Sequence, residues 1–156
     1  SGYDYKLIVI LVGANDVLKL TSMENIETNL RELIKEAKKR AKKVIFFHGG
    51  NLAASHLLPF PINALYSYRT RKIREIYKKI AKETGTIYVD MYTSIKDFPY
   101  IRNGEKLHAR DSFHPSNEGY AVWYDLLKEA IKPGNKNHDT SKLLRKMVRD
   151  YKSIKI

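Results

Sequence analysis

Three short apolar runs constrain this chain more than any other feature of its sequence. The first, YKLIVILVG at 5–13, is nearly continuous in aliphatic and β-branched residues and stops at glycine. The second, KVIFFHGG at 43–50, stops at Gly-Gly, and the third is TIYVD at 86–90. A run without polar alternation suits a strand covered on both faces, the environment of a parallel sheet. Parallel strands cannot be joined by tight hairpins, so each gap must hold a crossover, usually a helix.

The gaps carry that signal. Thr21 and Glu24 have capping-box spacing. Ile26, Leu30, Leu33, Ile34 and Ala37 then repeat at helical period, which predicts a helix over about 23–41. NLAASHLLPFPI at 51–62 reads as a loop with two prolines. A basic helix is expected over about 63–83, with Leu65, Tyr66, Ile73, Ile76, Tyr77 and Ile80 inward and Gly85 as its stop. Residues 91–115 read as irregular, and Ser116 opens a helix to about Ile131. Strands alternating with helices predict an α/β fold, a three-layer α/β/α sandwich on a parallel sheet. Its 156 residues suffice for one such domain, expected over 1–131. KPGNKNHD at 132–139 reads as a linker, and 140–156 as a basic amphipathic helix with Leu143, Leu144, Met147, Val148 and Tyr151 on its apolar side.

In an open parallel sheet, ligands bind beyond the carboxyl ends of the strands. GAND at 13–16, HGGN at 48–51 and DMYTS at 90–94 belong to that rim, and the loop before the last helix returns to it. That loop contains DSFHP, with Asp111 three residues before His114. A serine hydrolase needs an imidazole to take and return the nucleophile's proton, and an acid to hold the imidazole's other nitrogen. D-x-x-H can supply both if it turns, and it equally suits a local turn with a packed histidine. Asn15 has two readings as well. Its amide could donate to an oxyanion, or Asn-Asp after Gly13 could simply make a turn. Asp16 is expected to be structural, bonded to backbone groups of the loop.

Together the two segments say more. LIVILVGANDVLKLTS and DSFHPSNEGYAVW, about one hundred residues apart, resemble two signature blocks of the GDSL or SGNH hydrolases. The resemblance extends over about residues 3–131 and includes TIYVDM. It implies a flavodoxin-like sheet and ester hydrolysis by a Ser-His-Asp triad. His114 would be the base, Asp111 the acid, Asn15 an oxyanion donor and Gly13 part of the oxyanion loop. No cofactor and no metal are implied.

One part of the pattern is missing. The G-D-S block that carries the nucleophile, and the following glycine block, precede the G-x-N-D strand in that family, and only four residues precede Tyr5 here. The chain therefore reads as the C-terminal part of such an enzyme, with its N-terminal strands absent. Ser55, Ser112 and Ser1 are poor substitutes by position. Without those strands, 5–12 becomes an uncovered apolar edge, which tends to pair. An N-terminal fragment or a second protomer is expected to complete the sheet.

Other chemistries fit less well. His108, Asp111 and His114 offer one carboxylate and two imidazoles, but their spacing is loose and nothing supplies a fourth ligand. HGGN lacks a G-x-G-x-x-G or Walker pattern for phosphate. Zero cysteines exclude disulfides and thiolate chemistry without fixing a compartment. No run approaches the roughly 18–20 apolar residues of a membrane span. Formal net charge is +12, and residues 132–156 hold eight Lys/Arg against two Asp. That tail could dock on its own domain, on a partner or on an anionic membrane surface. Arg69, Arg71, Lys72, Arg74, Lys78 and Lys79 sit among tyrosines on the helix 63–83. They read as a solvated face, so no nucleic-acid partner is expected. Beside an ester hydrolase (of lipid or small-molecule esters), the alternatives are a non-catalytic α/β binding module and a basic nucleic-acid- or membrane-associated protein.

Overall fold

The computed structural model describes residues 3–51, 58–92, 107–111 and 113–132. Within them the chain runs β1 (Ile8–Leu11), α1 (Ala14–Leu18), α2 (Met23–Arg40), β2 (Val44–Phe47), α3 (Ile62–Thr84), β3 (Ile87–Val89) and α4 (Asn117–Ala130). The described strands pair in parallel in the order β1-β2-β3. Val9 lies opposite Ile45, Leu11 opposite Phe47, and Phe47 opposite Val89. The linker beyond Lys132 and the helix expected over 140–156 lie outside the described residues.

Side chains alternate between the faces of a strand, and the two sets meet different helices. Phe46 and Tyr88 pack with Ile26, Leu30 and Ile34 of α2 and with Ile73, Tyr77 and Ile80 of α3. Ile45, Phe47 and Val89 pack with Val122, Leu126 and Ala130 of α4. Helices thus cover both faces of β2 and β3, giving the three layers expected. Each large aliphatic side chain buried here stabilises the fold by about 1.5–3 kcal/mol.

The helix boundaries match the sequence pattern closely, with two corrections. The N-cap of α2 is Ser22, whose hydroxyl accepts from the Asn25 N–H at 3.2 Å, and not Thr21. The backbone explains the shift: Leu20 takes a left-handed φ of 55°, and the Thr21 carbonyl is drawn to Arg69 of α3. Leu65, assigned to the inward stripe of α3, is 56% exposed. The start of α3 runs beside α1, where Tyr66 and Arg69 make the contacts and Leu65 faces away. Gly85 ends α3 as expected, in the left-handed region at φ 62° with its N–H on the Ala81 carbonyl.

The strand β1 differs from the first expectation in one respect. Only its α2/α3 side is covered. Val9 and Leu11, on the side that α4 fills for β2 and β3, are 47% and 52% exposed. The cause is position: β1 is the outermost described strand, and α4 reaches only its two neighbours. An uncovered apolar edge is what the sequence led us to expect.

Candidate active site

The carboxyl end of β1 builds one wall of a cleft. The ladder closes with the Val12 N–H on the Phe47 carbonyl at 3.1 Å. Gly13 then adopts φ 103°, a conformation that side chains with a Cβ rarely take. A Cβ there would also lie 2.7 Å from the buried Tyr77 hydroxyl. This turn feeds directly into α1, where sequence reasoning expected either a turn or a loop. Asn15 sits in the first turn of that helix, exposed at the rim. The Asp16 expectation fails in its detail. Among the described residues its carboxylate accepts no backbone hydrogen bond; its carbonyl is the anchoring group, taken by Arg69.

The loop before α4 builds the opposite wall. It is drawn tight by backbone bonds from Ala109 N–H to the His114 carbonyl and from Ser116 N–H to the Leu107 carbonyl, both 2.8 Å. One oxygen of Asp111 accepts the N–H groups of Phe113 and His114 at 3.0 and 2.9 Å. The other lies 2.6 Å from Nδ1 of His114. So Asp111 both shapes the turn and grips the imidazole. The imidazole bond first, and then the two backbone bonds, lower the Asp111 carboxyl from its ordinary 3.8 to about 2. Ser116 accepts from the Gly119 N–H at 3.1 Å and caps α4, as the sequence predicted. Nε2 of His114 has no hydrogen-bond partner among the described residues.

Between these walls lies a cleft of about 470 Å³. Gly13, Asn15 and His114 all line it, with Asp111 behind the imidazole. Leu11, Leu18, Phe113, Tyr120 and Trp123 make it largely apolar. Gly49 is a packing requirement of this cleft, because a Cβ there would come within 3.3 Å of the Trp123 indole.

Two further residues line the cleft, Asn51, named from sequence only as the end of HGGN on the rim, and His108, weighed there only as a metal ligand. Asn51 is 1% exposed, faces the cleft and donates from its amide to the Ser67 hydroxyl at 3.3 Å. Its signal was its place just beyond a strand that ends in Gly-Gly. His108 also lines the cleft, and its backbone bridges to Pro115. His48 is buried, accepts the Gly50 N–H on Nδ1 at 3.0 Å, and has its pKa lowered by desolvation. It is therefore held neutral, beneath the rim.

The basic helix resolves into two populations. Arg69 and Arg74 turn inward, Arg69 onto carbonyls of the α1 segment and Arg74 onto Asp90, 2.6 Å away and 8% exposed. Arg71, Lys72, Lys78 and Lys79 are exposed. Among the described residues no three His, Cys, Asp or Glu side chains group as a metal site, and no helix is long and apolar enough to cross a membrane. Ser55 and Ser112 lie outside the described residues.

Residues 1–122 match the sequence model of the GDSL-like lipase/acylhydrolase family. This chain belongs to that family. A GDSL-like esterase of Mycobacterium tuberculosis is 26% identical over 125 residues, which is 80% of this chain and 39% of that protein. The fold is similar to that of an acetylxylan esterase from Geobacillus stearothermophilus, with a TM-score of 0.53 at 22% identity. That match covers 82% of this chain and 60% of the esterase. A second structure of the same esterase, described as a catalytic mutant, matches with a TM-score of 0.52 at 23% identity. This GDSL-family chain thus spans about two fifths of the curated relative and three fifths of the solved ones.

Proposed function

We propose that this chain carries the acid–base half of a serine carboxylic ester hydrolase. The observation that supports it best is the Asp111–His114 pair at 2.6 Å, with His114 on the cleft that Asn15 also lines. In this reading, His114 Nε2 takes the proton of a serine hydroxyl as its oxygen attacks the ester carbonyl. Asn15 donates its side-chain N–H to the developing oxyanion, where fixed dipoles lower the barrier most. The tetrahedral intermediate collapses, and His114 returns the proton to the departing alkoxide. Water then attacks the acyl-serine, and His114 acts once more as base and then acid. Asp111 remains ionised throughout, holding Nδ1–H and stabilising the imidazolium.

The serine itself is assigned to a segment outside the described residues, one that pairs with the free edge of β1. Three serines belong to the described chain away from that edge, and each has a structural bond. Ser22 caps α2, Ser116 caps α4, and Ser67 accepts from Asn51. The half-exposed Val9 and Leu11 mark where a further strand and its covering helix would bury apolar surface. That segment is either upstream of β1 or on a second chain.

A short-chain p-nitrophenyl ester assay tests the reading on this chain and on a form extended upstream. Activity is expected only when a serine segment is present, and His114→Ala should abolish it. Activity that survives His114→Ala refutes the acid–base assignment. An extended form with no activity on any ester would favour a non-catalytic binding module instead.

A further inference from the structure

The helix that carries Asn15 is too short to hold itself. It has five residues, a left-handed glycine before it and no side-chain cap at its N-terminus. A single helical turn fixes many dihedral angles for few hydrogen bonds, so isolated turns of this size do not persist. Its ends are joined to the flanking residues by Val17 N–H to the Gly13 carbonyl at 2.9 Å and Lys19 N–H to the Asn15 carbonyl at 2.8 Å. The chain then doubles back through Leu20, whose φ of 55° is unfavourable for a residue with a Cβ. Such a conformation persists only where surrounding contacts enforce it.

One of those contacts is local, the Thr21 N–H on the Asp16 carbonyl at 3.2 Å, and the others come from α3. Arg69, partly buried, donates to the Asp16 carbonyl from Nη2 at 2.9 Å and from Nε at 3.3 Å. The same Nη2 also donates to the Thr21 carbonyl. Tyr66 adds a hydroxyl bond to the Leu18 carbonyl at 3.3 Å. One planar guanidinium therefore ties the residue after Asn15 to the residue that follows the left-handed turn. A cation at this end of α1 also complements its carbonyl dipole. The fork geometry matters here, because a lysine ammonium offers a point charge on a flexible stem.

We propose that Arg69 is a positioning residue: by bridging the Asp16 and Thr21 carbonyls it fixes the α1 turn and so aims Asn15 into the cleft. The proposal rests on the reading of Asn15 as the oxyanion donor, and Arg69 itself touches no substrate.

The test uses Arg69→Met, which keeps the stem, and Arg69→Lys, which keeps the charge and guards against loss of folding. The first readout is the pair of side-chain amide signals of Asn15 in a ¹⁵N–¹H spectrum, which needs no activity. They should shift or broaden in Arg69→Met and recover in part in Arg69→Lys. The second readout is ester hydrolysis in the form that turns over. There kcat should fall about 10- to 100-fold, the scale of small misplacements of a catalytic group, with KM nearly unchanged. In an Asn15→Ala background the same Arg69→Met change should alter kcat by less than about two-fold, because its route of action is gone. Unchanged Asn15 signals in Arg69→Met would overturn the proposal, as would an equal penalty in both backgrounds. If Asn15→Ala leaves kcat intact, the oxyanion reading fails instead, and the amide signals alone decide whether Arg69 orders the turn.

Discussion

Gly13→Ala separates two physical costs at the mouth of the cleft. The first is backbone strain. Gly13 sits at φ 103°, and a Cβ in the left-handed region costs about 1–2 kcal/mol. The second is steric. The new Cβ would lie 2.7 Å from the Tyr77 hydroxyl oxygen, on a ring that is 1% exposed and locked between Phe46 and Tyr88. Overpacking of a closed core site costs about 1–3 kcal/mol. The sum, about 2–5 kcal/mol, corresponds to a fall in melting temperature on the order of 10 °C for a chain of this size.

Tyr77→Phe removes the clashing atom, and the next ring atoms lie 3.5 Å from the new Cβ, an ordinary contact. The Tyr77 hydroxyl makes no hydrogen bond among the described residues, so its loss alone should shift stability by less than about 1 kcal/mol. In that background Gly13→Ala should cost only the strain, about 1–2 kcal/mol. Thermal and urea denaturation of the four proteins, followed by circular dichroism, measure the cycle. Equal penalties with and without the Tyr77 hydroxyl would refute the steric argument. A neutral Gly13→Ala in the native background would refute both.

Three further outcomes follow from the same geometry. The Asp111 carboxyl, depressed to about 2, favours the folded loop fully above its ordinary 3.8 and loses that contribution as pH falls through about 2. Carbon NMR should therefore find it ionised down to that range, and hydrolysis should show no Asp111 inflection near pH 4; Asp111→Asn should lower kcat by about 10²- to 10⁴-fold. Leu20→Gly relieves a φ of 55° at a half-exposed site, so it should be neutral to stabilising by up to about 1 kcal/mol in urea denaturation. Arg74→Met takes the guanidinium from the buried Asp90 carboxylate, which keeps the Lys78 ammonium at 3.6 Å and the Tyr92 N–H at 3.2 Å, and should cost about 2–4 kcal/mol, recovered in part by adding Asp90→Asn.

Much of this molecule was legible before any coordinates. Apolar runs and helical periodicity named the three described strands and three of the four described helices because burial itself sets those periods: Ile26, Leu30, Ile34 and Ala37 of α2 are buried, although Leu33 of the same stripe is 43% exposed. Asp111 and His114 were legible because they are neighbours in the chain, and a short loop lets local bonds do the work. Less was legible where a contact joins distant segments. Leu65 fits the stripe of α3 by spacing, yet is exposed because α1 packs on the side of the helix's start that bears Tyr66 and Arg69. Asn51 follows a strand much as Asn15 does, but its burial depends on α3, whose Ser67 accepts its amide.

The charge pattern shows the same division. Six of the seven cations on α3 read together as a solvated face, and spacing alone does not separate the outward ones from Arg69 and Arg74. What separates them is the presence of the Asp16 and Thr21 carbonyls and of the Asp90 carboxylate, which arrive from other elements. Sequence by itself therefore determined the fold class, the parallel direction of the strands and the closeness of Asp111 to His114, since each rests on periodicity or on neighbours within a few residues. It also put Asn15 and His114 on one rim and left β1 as an uncovered edge, but only the tertiary structure decided which side chains line the cleft between them, which face of β1 α4 leaves bare, and that Arg69 of α3 bonds the Asp16 and Thr21 carbonyls. Those facts depend on where strands and helices meet in space, and chain distance carries no record of that.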